Sequence, residues 1–167
     1  MIEIESGNPL TDDEVQKSAE KLEQSAKRLA QSKSFIPTLQ FVFSRYIKEH
    51  GIECKELLAR KLHVEPRQID HYIHGDTKVP KAKKDSVYKA LISICIVLEL
   101  ETIEAFQLMA CCGEPYLHYP EGTSKCQHYA ILFHPHEHTL SEWNQILKAN
   151  GFETLDYKHN RKEKPLS

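Results

Sequence analysis

The chain has 167 residues, of which 40% are hydrophobic, so it can bury a core of ordinary size, and disorder throughout is excluded. The formal net charge of −2 conceals an asymmetry: residues 45 to 84 carry ten Lys/Arg against six Asp/Glu, leaving this stretch at +4 and the remainder at −6. A polyanion would meet residues 45 to 84 first.

In chain order, "TDDEVQKSAEKLEQSAKRLAQS" repeats Val15, Ala19, Leu22, Ala26 and Leu29 at steps of four and three, the a/d spacing of an amphipathic helix, opened by a capping box from Thr11 to Glu14. This apolar seam serves either a second copy of the chain or its own domain. Phe35, Leu39, Val42, Phe43, Tyr46 and Ile47 mark a second amphipathic helix, released at Gly51. Two short helices are predicted near 53–62 and 66–74, with Gly75 as a stop and Pro80 in the loop that follows. "DSVYKALISICIVLEL" is apolar almost all round, the pattern of a helix central to a small core. A helix from about Thr102 to Cys112 stops at Gly113, and "GEPYLHYPEGTSK" reads as an extended linker. Helices near 125–134 and 140–150 come next, the second opened by Thr139 and Glu142 and closed by Gly151. The tail 158–167 reads as disordered. No strand alternation or repeat appears, so the predicted class is all-α.

No stretch approaches the ~18 uncharged apolar residues of a membrane helix, and the N-terminal residues lack the apolar region of a secretory signal. A cytoplasmic protein without membrane attachment is the expectation. Five cysteines without CxxC spacing point to reduced thiols, most of them core filler.

The segment "LLARKLHVEPRQIDHYIHGDTKVP", residues 57–80, has the requirements of a helix-turn-helix: small Ala59 where two helices cross, Val64 in the turn, and Ile69 and Tyr72 on the inner face of the second helix. Helical spacing sets Arg67, Asp70, His71 and His74 on the outer face, with Gln68 at its margin. Arg67 has the fork for guanine, Gln68 the amide for adenine, and Asp70 an acceptor for cytosine. Lys55, Arg60, Lys78, Lys81, Lys83 and Lys84 are the candidates for phosphate. The bland alternative is that these are solvated surface residues.

Through Leu58, Ala59, Leu62, Val64, Ile69, Gly75 and Pro80 the segment resembles the lambda-repressor-like, XRE-family helix-turn-helix. "LISICIVLELETIEAFQLMACCGEPYL" looks like the fourth and fifth helices of that domain, and "AILFHPHEHTLSEWNQILKANGFETL" is similar to a tail found in a group of bacterial proteins of this type. The resemblance covers about 120 of the 167 residues. It implies a five-helix helix-turn-helix domain at 34–113, an N-terminal amphipathic helix at 1–33, a linker and C-terminal helical extension at 114–157, and a tail. This sequence departs from the family at His63, where Gly is usual, at Glu65, where a Ser or Thr cap is usual, and at Lys55 and Pro66, where Gln often stands. If position 63 is left-handed, His63 brings modest backbone strain.

Cys111, Cys112, His118, Cys126, His128, His134, His136 and His138 crowd into 28 residues and could supply zinc ligands, but their spacing matches no compact zinc module. Buried thiols and surface imidazoles are the expectation, with no metal and no cofactor. No nucleophile, base and orienting group announce themselves, nor does a Gly-rich phosphate loop, so the chain reads as non-enzymatic. Trp143 is expected as a core or docking anchor, and Asn144 as a holder of the loop before it. Two functions follow: a sequence-specific, homodimeric DNA-binding regulator, or a protein-interaction adaptor that keeps a degenerate helix-turn-helix as scaffold and meets its partner through the C-terminal or N-terminal helices.

Overall fold

The computed structural model describes residues 38–157 together with Asp13, Glu14, Gln16, Lys17, Ser18, Glu20, Lys21 and Gln24. Those eight N-terminal positions are helical. The seam Val15, Ala19, Leu22, Ala26 and Leu29, the expected helix residue Phe35, and the tail 158–167 lie outside the described residues.

Seven α-helices follow in order: α1 Leu39–His50, α2 Cys54–Leu62, α3 Pro66–His74, α4 Val87–Val97, α5 Thr102–Cys111, α6 Ser124–Ile131 and α7 Leu140–Ala149. A 3-10 turn, Lys84–Ser86, leads into α4. Among the described residues there is no strand, and no helix is long and apolar enough to cross a membrane.

Local chemistry sets most of the boundaries. Thr38 caps α1, its hydroxyl accepting from the Phe41 N–H at 3.1 Å, and Gly51 ends the helix at φ 90°. α2 ends where His63 turns left-handed, at φ 56° and ψ 40°, letting the Val64 N–H reach the Ala59 carbonyl at 2.9 Å. A non-glycine residue held there costs on the order of 1 kcal/mol. Pro66 fits the first turn of α3, where its missing N–H is no loss, and left-handed Gly75 stops the helix. α7 opens on the expected capping box: the Thr139 N–H donates to Glu142 Oε1 at 2.8 Å, and the Glu142 N–H to Thr139 Oγ1 at 3.2 Å.

From Ala90 to Leu98 the whole of α4 is buried, which makes it the axis on which α2, α5, α6 and α7 pack. One apolar cluster runs from Leu39, Val42 and Phe43 through Leu58, Leu62, Ile69 and Tyr72 to Tyr129, Trp143, Leu147 and Leu155. Each fully buried Leu, Ile or Phe side chain in it contributes about 1.5–3 kcal/mol. Phe43 stacks on Tyr72 at 4.6 Å, joining α1 to α3. The cluster continues past residue 113 without a break. Residues 114–120 are free of regular structure, yet Tyr116 is buried and meets Tyr129 edge-on at 5.2 Å. Trp143 is fully buried, donating from Nε1 to the Pro135 carbonyl at 3.4 Å, so it is a core residue. Asn144 Oδ1 accepts from the Leu155 N–H at 2.7 Å and thus holds the segment after its helix, where the loop before it was expected.

Candidate nucleic-acid interface

The turn His63–Glu65 sets α3 across the end of α2, and the 3.6-residue period then sorts the side chains of α3. Ile69 and Tyr72 enter the core, and Ile73 packs half-buried against it. Arg67 keeps 76% of its side chain exposed and lies 3.7 Å from the Glu65 carboxylate, while His74 is exposed one turn beyond His71. His71 Nδ1 sits 3.4 Å from Asp76 Oδ2. Arg67, His71 and His74 therefore share an open face.

Two of the predicted base readers are placed differently. Gln68 is half-buried, and its Nε2 is shielded from solvent beside the Tyr72 hydroxyl, so its amide is turned toward the interior. The Asp70 carboxylate is ion-paired with Lys55 Nζ. The pair ties the start of α2 to the middle of α3 and couples a predicted base reader to a predicted phosphate contact. Being partly exposed, it is worth about 0.2–1 kcal/mol, which a competing DNA group could offset.

The cationic residues fall into two groups. Lys78, Lys81 and Lys83 are exposed on the loop after α3, which buried Thr77, Pro80 and Ala82 pin to the domain, and Lys84 is exposed at the head of the 3-10 turn. Arg60 instead lines a groove of about 900 Å³ with Lys61, His63 and Lys148, and no α3 residue takes part in it.

Glu65 occupies the N-cap of α3 in extended conformation and makes no side-chain capping bond, so the helix start bears an exposed carboxylate where an anion-binding helix would carry a neutral hydroxyl.

The crowded Cys/His region separates into unrelated environments. Cys95 and Cys126 are buried, Cys54 and Cys112 half-buried, and Cys111 exposed, so the expectation of buried thiols fails at Cys111, which lies on the outer side of the last turn of α5. Burial pushes the Cys112 thiol up to about 12. Nor is every imidazole at the surface. His128 is wholly buried, its Nε2 2.7 Å from the Glu153 carbonyl and its Nδ1 3.0 Å from the Tyr88 hydroxyl. A carbonyl only accepts, so Nε2 carries the proton and Nδ1 accepts from Tyr88. Burial, opposed by the hydrogen bond to Glu153, lowers the His128 pKa to about 4. Among the described residues, no three His, Cys, Asp or Glu side chains converge to hold a metal ion.

Sequence reasoning missed three polar links: Lys55–Asp70, His128–Tyr88, and Arg45–Glu104, in which Arg45 Nη1 lies 2.7 Å from Glu104 Oε2 and joins α1 to α5. No protein-family model, curated protein or solved structure matches the chain.

Proposed function

We propose that residues 34–113 form a lambda-repressor-like, XRE-type helix-turn-helix domain and that the protein is a non-catalytic, sequence-specific regulator that reads double-stranded DNA. The observation that carries this reading is the sorting of α3: Ile69 and Tyr72 hold the helix by one side, while Arg67 and His74 are exposed and His71 half-exposed on the other, Arg67 near Glu65 and His71 near Asp76. A helix offered in this way can lie in a major groove with base-contacting side chains outward. Arg67 is the principal base reader, by its bidentate guanidinium. The exposed lysines 78, 81, 83 and 84 supply phosphate contacts. Lys55 serves phosphate only if it leaves Asp70, and Asp70 reads cytosine only on the same condition.

A single domain of this kind covers one half-site, so the DNA-reading species is a two-fold dimer. The N-terminal seam, unless it packs on its own domain, and the C-terminal helices are the two candidates for its contact. Trp143, being wholly buried, contributes no contact of its own.

A second reading has a specific observation in its favour. Asp70 engaged with Lys55, Gln68 turned inward and Glu65 at the head of α3 together leave fewer groups free for bases than a dedicated reader would offer. On that reading the helix pair is a scaffold and the partner is a protein. Selection of binding sites from random duplex DNA by the full chain separates the two. An enriched sequence, lost with Arg67→Ala, supports the regulator, and a pool that stays random supports the adaptor.

A further inference from the structure

The left-handed turn at Gly75 does more than stop α3. It directs the Gly75 N–H to the Tyr72 carbonyl at 3.1 Å and the Asp76 N–H to the His71 carbonyl at 3.0 Å, the paired bonds that close a helix through a left-handed residue. The N–H of buried Thr77 lies 3.4 Å from the same His71 carbonyl. Gly75, Asp76 and Thr77 are thus tied by their main chain to the last turn of α3. The Asp76 side chain comes back alongside the ring of His71, with Oδ2 3.4 Å from Nδ1.

This contact decides where the imidazole proton lies. A carboxylate is an acceptor only. A bare Nδ1 would set its lone pair against the Asp76 charge, whereas an Nδ1–H donates to it, so the neutral ring keeps its proton on Nδ1. Nε2 is then left as an acceptor. Among the described residues no hydrogen bond engages Nε2, and 38% of the His71 side chain is exposed. His74, exposed and without a hydrogen bond from its ring among the described residues, has no such constraint.

In a major groove the two kinds of ring nitrogen read different bases. An acceptor meets the amino groups of adenine and cytosine, whereas a donor meets the acceptors of guanine and thymine, and N7 of adenine. We propose that Asp76 is a positioning residue that fixes His71 as an acceptor, so that His71 selects a base bearing an amino group, adenine or cytosine, one helical turn along α3 from the guanine taken by Arg67. The base selection rests on the reading of α3 as a DNA-reading helix, but the tautomer belongs to the free protein.

Two measurements on the full chain near pH ~8.5, above the range in which an ordinary imidazole takes up a proton, test the proposal. Long-range proton–nitrogen correlation spectra of the free protein should give His71 the Nδ1–H tautomer. Asp76→Ala, a change at an exposed side chain that leaves the main-chain bonds in place, should shift His71 toward Nε2–H. Site selection from random duplex DNA should give adenine or cytosine at the position that His71→Ala relaxes, with guanine or thymine there binding about tenfold more weakly. Asp76→Ala should admit guanine and thymine at that position. A wild-type His71 protonated on Nε2, guanine or thymine enriched at its position, or an unchanged base preference in Asp76→Ala would each overturn the proposal while leaving the DNA reading in place. A wild-type pool that stays random removes the DNA reading, and the base selection with it, whichever tautomer the spectra give.

Discussion

Acidification should destabilise this fold through one residue in particular. His128 is buried between Tyr88 and Glu153, and its pKa of about 4 lies below the ~6.5 of an unfolded histidine. Above pH ~6.5 neither state is protonated at this site, and its contribution is fully present. As the pH falls through that value the unfolded chain takes up a proton that the folded chain refuses, so stability declines by ~1.4 kcal/mol per pH unit until about pH 4. The full loss is therefore about 3 kcal/mol, a large share of the ~5–15 kcal/mol of a typical domain. The assay is urea unfolding at a series of pH values, comparing the wild type with His128→Gln. The variant loses two hydrogen bonds and starts lower, but its stability should fall less steeply between pH ~6.5 and ~4, by about one proton's worth of slope. Parallel curves would refute the buried neutral imidazole.

Arg67→Ala should weaken binding to a selected DNA site by about 1–3 kcal/mol and relax one base position, whereas Lys81→Ala with Lys83→Ala should weaken all sequences alike and flatten the salt dependence; equal losses on selected and random DNA for Arg67→Ala would exclude base reading. Ala59 is 2% exposed among Leu58 and Leu62, so Ala59→Leu should overpack the α2–α3 contact by about 1–3 kcal/mol, and an unchanged melting temperature would show that the two helices meet elsewhere. Glu65→Ser should supply the absent cap of α3 and raise stability by about 1 kcal/mol; with DNA it should also raise affinity by removing a carboxylate, and a destabilised protein would mean that Glu65 holds a contact beyond its weak pairing with Arg67. The full chain should have the mass of a dimer in light scattering, and a monomer would remove the dimer altogether; a dimer that survives deletion of residues 1–31 removes the N-terminal seam from the interface.

Features encoded over a few residues were legible in the sequence. Gly51 and Gly75 end their helices, Thr139 and Glu142 form their capping box, and the all-round apolar run 87–97 is the central helix, because each depends on neighbours within one turn or on a periodic pattern. The left-handed backbone at His63 was raised only as a condition, through the resemblance to sequences with Gly at that position, and its φ of 56° meets that condition. Links across the fold were not legible. Lys55 and Asp70 are fifteen residues apart and face each other only once α2 and α3 have packed, so each was assigned separately to DNA. His128 looked like one of several surface imidazoles, although "CQHYAIL" offered a signal: the polar pair Gln127 and His128 stands in a run that is buried on every side.

The most direct measurement is a fluorescence-anisotropy titration of the full chain against a duplex selected from random DNA and against the same duplex scrambled, both at a fixed salt concentration near ~0.15 M. A DNA reader should bind the selected duplex about 10³-fold or more tightly than the scrambled one. Equal affinity for the two, or no binding to either, would contradict the assignment of α3 as a base-reading helix.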